Sequence, residues 1–154
     1  AAQLGHRTAG VDLAPEMVGL AREKAAARGL SAEFLEGDVE SLQIEAARFD
    51  VVMERHVLWT LPAPVEALRG WRRVLRAGGE VLLIEGKWGE RSQKDEYEEI
   101  KGKLPLYGGS DAEAVVGAVR EAGFGEVRVE PLMEGVLWGG EAGCERYRVR
   151  GRRG

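Results

Sequence analysis

The feature that most constrains this chain is its alternation of strand-like and helix-like segments. Thr8 to Asp12 reads as a strand, and Pro15 to Arg28 as a helix in which Met17, Leu20/Ala21, Ala25 and Arg28 recur at helical spacing. Pro15 suits the first helical position, where no amide hydrogen is needed, and Gly29 ends the helix. Ala32 to Leu35 is a second short strand. "FDVVME", residues 49–54, is almost continuously apolar, the pattern of a buried strand in a parallel sheet. Pro64 to Arg76 predicts a helix with Leu68, Trp71 and Leu75 on one face and Gly78-Gly79 as its stop. "EVLLIE", residues 80–85, is the clearest strand. Further on, Tyr97, Ile100 and Leu104 mark a short helix. Ser110 and Glu113 have capping-box spacing before a helix carrying Ala112, Val115, Val116 and Val119. Glu126–Glu130 and Glu145–Arg150 are two closing strands suited to antiparallel pairing, and "AAQLGH" reads as a helix end stopped by Gly5.

Such alternation predicts one α/β domain over residues 1–154, with a mostly parallel sheet. Ligands of these sheets sit beyond the carboxyl ends of the strands, so Asp12, the loop after Leu35, and Glu54 are expected at one crevice. A net charge of −4 excludes a general binder of nucleic acid or anionic membrane, which needs a basic surface. No apolar run is long enough to span a bilayer. Cys144, the single cysteine, cannot form an internal disulfide, and no Cys/His cluster has zinc-ligand spacing. A reducing, cytoplasmic setting without a metal is the expectation.

Two acids stand out at strand tips. A carboxylate such as Asp12, at the tip of a strand in a dinucleotide-type fold, accepts hydrogen bonds from two ribose hydroxyls. Its other reading is a turn or helix-entry residue. In "EGDVESL", residues 36–42, Asp38 stands just past the next strand, placed either to accept from an exocyclic adenine amine or to form an Asx-turn after Gly37. Together the two favour a nucleoside pocket.

"GVDLAPEM", "EGDVESL", "FDVVMERHVLWTLPAP" and "WRRVLRAGGEVLLIEG" resemble, in order and at natural spacings, signature segments of class I S-adenosylmethionine-dependent methyltransferases of the UbiE-like small-molecule group. The resemblance runs from residue 1 to about residue 86, and the tail "LPLYGG…EAGF…VRVEPL" fits it more loosely. It implies a Rossmann-like, doubly wound, mostly parallel sheet with an antiparallel C-terminal strand, and S-adenosyl-L-methionine as cofactor. By the same resemblance Asp12 binds the ribose diol and Leu13 packs on the adenine. Asp38 takes the adenine amine with Val39 beside it, and Glu54 and Arg55 sit nearest the sulfonium and the substrate. The family's first, central strand and its glycine-rich loop have no counterpart here and are expected before Ala1; an N-terminally incomplete domain would be weakened in stability, binding and turnover. Ala14 stands where the family often has a Ser cap.

Methyl transfer from a sulfonium is an in-line displacement, for which the protein mainly aligns donor and acceptor. If the acceptor must lose a proton, His56 is the candidate base, with loop packing as its other reading. Trp59 and Trp88 are candidates to wall the substrate cleft, as is Trp138, by cover or by a cation–π contact; Trp71 reads as core. Arg146, Arg148, Arg150, Arg152 and Arg153 alternate with Tyr147 and Val149, a solvated strand face and frayed end rather than a phosphate or RNA site. The expected partner is a small-molecule methyl acceptor. A partial nucleoside-binding remnant and a nicotinamide-dependent oxidoreductase are the competing readings, and the sequence is silent on the acceptor's identity and on oligomeric state.

Overall fold

The computed structural model describes residues 1–87, 99–108 and 111–154. By internal contacts the chain forms two compact units, residues 1–43 and 44–154.

In the first unit a 3-10 turn, Ala2–Leu4, ends on Gly5 in the left-handed conformation, as a helix end requires. Strand β1 (Ala9–Asp12) pairs in parallel with β2 (Glu33–Glu36), from Ala9 opposite Glu33 to Asp12 opposite Glu36. Helix α1 (Pro15–Ala26) makes the crossover, with Pro15 in its first turn and no side-chain cap from Ala14. Its inward row differs from the expected one. Val18 is buried and Ala21 and Ala25 are part-buried, whereas Met17 and Leu20 are exposed. Helical spacing alone admitted either row, because apolar residues lie on both. Arg22 ties the helix down by donating to the Phe34 carbonyl at 2.7 Å.

The second unit is built on a four-stranded sheet in the order β3-β4-β6-β5. Strand β3 (Phe49–Arg55) runs parallel to β4 (Leu75–Lys87), while β6 (Glu145–Arg152) is antiparallel to both β4 and β5 (Gly125–Pro131). Helix α2 (Pro64–Val74) packs on β4 and on helix α3 (Ala112–Glu121), and α3 packs on β5 and β6. Period-two burial places Val81, Leu83 and Glu85 of β4 with Tyr147 and Val149 of β6 on the inner face. Helix α3 lies so close that a Cβ on Gly151 would stand 2.8 Å from Val119 Cγ1.

Five expectations change here. β3 is an edge strand covered on one face, so Val51 and Met53 are 46% and 59% exposed rather than buried. α2 ends at Val74 and passes directly into β4. Gly78 and Gly79 are therefore not a helix stop but part of a bulge, in which two steps along β3 (Phe49 to Val51) match five along β4 (Leu75 to Glu80). Gly78 takes φ 75° there, and a Cβ on Gly79 would lie 2.9 Å from the carbonyls of Asp50 and Arg76. The cap of α3 is Asp111, whose Oδ1 accepts from Ala114 N at 3.0 Å; Ser110, like Tyr97, lies outside the described residues. Ile100 and Leu104 flank only a 3-10 turn, Lys101–Lys103. Finally, the basic end is not frayed. Arg153 donates to the carbonyls of Arg72, Arg73 and Leu75 at the end of α2, and Arg148, Arg150 and Arg152 pair with Glu130, Glu80 and Glu126.

No helix among the described residues is long and apolar enough to cross a membrane, and none of their His, Cys, Asp and Glu side chains group to hold a metal.

Candidate functional site

Asp12 and Asp38 belong to the first unit, at the carboxyl ends of adjacent parallel strands. The ladder continues past the tips, with Gly37 N donating to the Asp12 carbonyl at 3.0 Å. The Asp12 side chain is exposed, and its Oδ1 accepts from Ala14 N at 2.9 Å. This bond turns the chain into α1 and supplies the anchor that Ala14 cannot. It also fixes the carboxylate's orientation, and Oδ2 has no partner among the described residues. Asp12 is thus a turn former, with its second carboxyl oxygen left outward.

Asp38 is more fully engaged. Its Oδ1 accepts from Glu40 N at 2.8 Å, and Ser41 Oγ lies 3.4 Å from Oδ2. This is the Asx-turn, and an adenine amine would have to use the lone pairs that remain. Leu13 is 72% exposed, an apolar side chain held out beside Asp12, and Val39 is part-buried.

The second unit brings together Glu54, Arg55, His56 and Trp59, with partners that the sequence did not announce. Glu54 closes β3, and its Oε2 accepts from Val57 N at 2.7 Å and Leu58 N at 3.3 Å, so the carboxyl caps the turn that carries Trp59. Its Oε1 is buried, and the carboxyl shares a hydrogen bond with Glu85. Two residues beyond Leu83, which sits opposite Glu54, the inner face of β4 presents Glu85. Glu85 is 1% exposed and shares a hydrogen bond with the Glu54 carboxyl. Burial first, then the charge of Glu54, pushes Glu85 up to about 9; the nearby amides of Trp59 and Leu58 pull weakly the other way. Burial raises Glu54 to about 7 against the pull of its amide donors. The pair therefore keeps at least one proton at neutral pH.

His56 follows the strand tip in a left-handed conformation, φ 58°, with its amide bonded to the Ile84 carbonyl at 3.0 Å. Its Nε2 lies 3.1 Å from Arg146 Nη1 and its Nδ1 3.9 Å from Glu85 Oε2. Burial, then the charges of Arg146 and Arg55, lowers its pKa to about 4. A neutral ring whose lone pair is already taken by a guanidinium is a poor proton acceptor, so the geometry disfavours His56 as base. Trp138 stands against the same groups, with Arg146 and Arg55 4.7 and 5.1 Å from its ring centre and its Nε1 donating to Leu132 O at 2.7 Å. Its π face thus already serves two cations. Trp59 is part-buried and meets Tyr107 edge-on at 6.3 Å, Trp71 is core, and Trp88 lies outside the described residues.

Glu85 was missed because "EVLLIE" reads as a strand ending in a charge, and ends are usually wet. Its signal was period two: residues 81, 83 and 85 share a face.

Comparison with known proteins bears on what these groups serve. Residues 1–83 match the family model described as a methyltransferase domain. Over 81 residues, 53% of this chain and 37% of the relative, the sequence is 37% identical to a demethylmenaquinone methyltransferase of Thermus thermophilus. The chain spans about a third of the length of the curated relatives it matches. Among solved structures, a SAM-dependent methyltransferase of Methanosarcina mazei superposes with a TM-score of 0.71 at 19% identity, covering 99% of this chain and 84% of that one. The cyclase SpnF superposes with a TM-score of 0.72 at 21% identity, over 96% of this chain and 66% of that one. At such identities the likeness is one of fold, an α/β Rossmann-like architecture that hosts more than one chemistry.

Proposed function

Because this chain belongs to the methyltransferase-domain family, we propose that it takes part in S-adenosylmethionine-dependent methyl transfer to a small-molecule acceptor. The observation that carries the reading is Asp12: a carboxylate at a strand's carboxyl end, oriented by the Ala14 amide, with Leu13 exposed beside it. An acceptor-only group so placed fits a ribose diol, and the apolar neighbour fits an adenine face. Asp38 and Val39 complete the adenine side. Arg55 and Trp59, in the second unit, are the candidates to meet the methyl acceptor, on or beside a turn after β3 that Glu54 fixes.

The cofactor, when bound, supplies an electrophilic methyl on a sulfonium. The protein's part is to bind, align and exclude water, which can supply roughly 7–11 kcal/mol of the barrier. The single Cys144 fits a reducing, cytoplasmic setting, and the net charge of −4 fits a small-molecule rather than a nucleic-acid partner. Calorimetry of the chain with S-adenosylhomocysteine and, separately, NADH tests the reading. Binding of the first with none of the second is expected. NADH binding alone would replace this reading by the nicotinamide one, and no binding of either would remove the nucleoside site.

A further inference from the structure

We propose that Arg55, standing against the indole of Trp138 beside the guanidinium of Arg146, receives the carboxylate of the methyl acceptor, so that the acceptor is a small acid with an apolar body. This rests on the methyltransferase reading above. All the groups involved belong to the second unit. They gather at the carboxyl ends of the parallel strands β3 and β4, where ligands of such sheets sit. Arg55 closes β3 and is exposed, and its guanidinium carbon lies 5.1 Å from the centre of the Trp138 ring. That of Arg146, from β6, lies 4.7 Å from the same centre.

The two guanidiniums are held together by the fold. β4 separates β3 from β6, and Arg146 starts opposite Gly86 of β4. It passes Gly86, which has no side chain to block it, and meets His56 Nε2 at 3.1 Å, just beyond the tip of β3. His56 is fixed in turn by a backbone φ of 58°, costly for a residue with a side chain, and by the bond from its amide to the Ile84 carbonyl. Trp138 is anchored by its Nε1, which donates to the Leu132 carbonyl at 2.7 Å. An indole face attracts a cation, and this ring draws two to one place, where a bound anion relieves their repulsion. Farther along β6, Arg148, Arg150 and Arg152 each have a glutamate. Among the described residues Arg55 has the indole instead. The acids nearest to it and to Arg146 in sequence turn elsewhere: Glu54 accepts from the amides of Val57 and Leu58, and Glu145, by period two, faces away from Arg146.

A guanidinium fork backed by an aromatic ring recognises a planar oxyanion through paired N–H···O bonds. Arg146 is already engaged with His56, so the fork on offer is that of Arg55, which suits a singly charged carboxylate better than a doubly charged phosphate. The loop between β5 and β6 adds the apolar part. Met133 and Leu137 in that loop are 47% and 50% exposed, and Met133 Sδ lies 3.4 Å from the Arg146 amide nitrogen. An apolar body resting there leaves water while its carboxylate stays on Arg55. Held at both ends, the acceptor has one orientation, and orientation is what methyl transfer mainly asks of the protein.

The test is binding by the whole chain, read without turnover. The probes are 4-hydroxyphenylacetate and its neutral amide, followed through the indole N–H signals of nitrogen-15 spectra. The acid is expected to bind about tenfold to a hundredfold more tightly than the amide, the worth of hydrogen bonds to a charged group, and to shift the Trp138 signal. Arg55→Gln should bring the acid down to the amide's affinity, and Arg55→Lys should recover only part of the loss, because it keeps the charge without the fork. Arg148→Gln removes an equal charge from the same strand as Arg146; it is the control and should stay within about twofold of wild type, since screening confines a charge to its neighbourhood. Acid and amide bound alike, or Arg55→Gln no weaker than that control, would overturn the inference, while S-adenosylhomocysteine binding in the same samples would keep the methyltransferase reading in place. Phenyl phosphate binding more than about tenfold tighter than the acid would overturn the choice of carboxylate. A wild type that takes the acid but no S-adenosylhomocysteine would defeat the methyltransferase reading, and with it the acceptor's role for this site.

Discussion

His56 Nε2 sits 3.1 Å from Arg146 Nη1, and because a guanidinium can only donate, the imidazole must be the acceptor and carry its proton on Nδ1, toward Glu85. The ring is thereby committed to holding Arg146 in place over Trp138 rather than to taking protons from a substrate.

Arg146→Ala is accordingly expected to raise the His56 titration from about 4 toward the ordinary value near 6.5, since it removes the larger of the two opposing charges. Proton spectra of the imidazole across pH 3–8 would follow it. An unmoved midpoint would mean that burial, with Arg55, is what depresses it.

Asp12→Ala should weaken S-adenosylhomocysteine binding about tenfold to a hundredfold, the worth of a hydrogen-bonded charge, roughly 1.5–3 kcal/mol. Asp12→Asn keeps the bond from Ala14 N and should restore the entry to α1 without restoring affinity. Asp38→Ala should cost less affinity and more local order, because its oxygens are spent on Glu40 and Ser41. Calorimetry beside hydrogen exchange of the Glu40 and Ser41 amides separates the two effects.

Glu85 makes stability depend on pH in a definite direction. Its folded pKa lies near 9, far above the ordinary 4.5, so the native state holds a proton that the unfolded chain has lost between those values. Its contribution is complete below pH 4.5 and is lost as pH rises through 9. Glu54 acts in the same sense up to about 7, while His56, depressed to about 4, acts in the opposite sense below 6.5. Wild type should therefore lose stability from pH 6.5 to 9, and Glu85→Gln should lose less, by up to roughly 1 kcal/mol per pH unit. Urea unfolding at pH 6.5, 7.5 and 8.5 gives the comparison; parallel curves would show that Glu85 is ionised in the native state.

Gly151→Ala should destabilise the second unit by roughly 1–3 kcal/mol, the usual cost of overpacking. The added carbon meets Val119 Cγ1 at 2.8 Å and Phe124 Cβ at 3.1 Å, and neither is the end of a long, yielding side chain. Gly19→Ala, on α1 with open space around it, is the control and should be neutral or better.

The elements were readable because their patterns are local. Val115, Val116 and Val119 announce α3, and the alternation around Tyr147 and Val149 announces β6. What was not readable depended on partners distant in sequence. Nothing near "FDVVME" says that it borders the sheet, so Val51 and Met53 read as buried. Gly78-Gly79 reads as a helix stop until the Asp50 carbonyl is seen lying against Gly79. For the site, Asp12 and Asp38 were visible at strand tips, while the Glu54–Glu85 pair and the Arg146–His56 bond join residues 31 and 90 positions apart.

The same distance has a consequence during synthesis. The terminal carbonyls of α2 at Arg72 and Arg73 are closed by Arg153, 81 and 80 positions later. At about 5–20 residues per second the ribosome needs roughly 4–16 s to bridge that gap. For that interval the Arg72 carbonyl lacks its donor, while those of Arg73 and Val74 are already met by the amides of Ala47 and Arg48, and Leu68 and Trp71 wait for β6 to finish their core. The C-terminal strand is thus the last part of the second unit to be made, and Arg153 adds the final donors to a helix end already partly held.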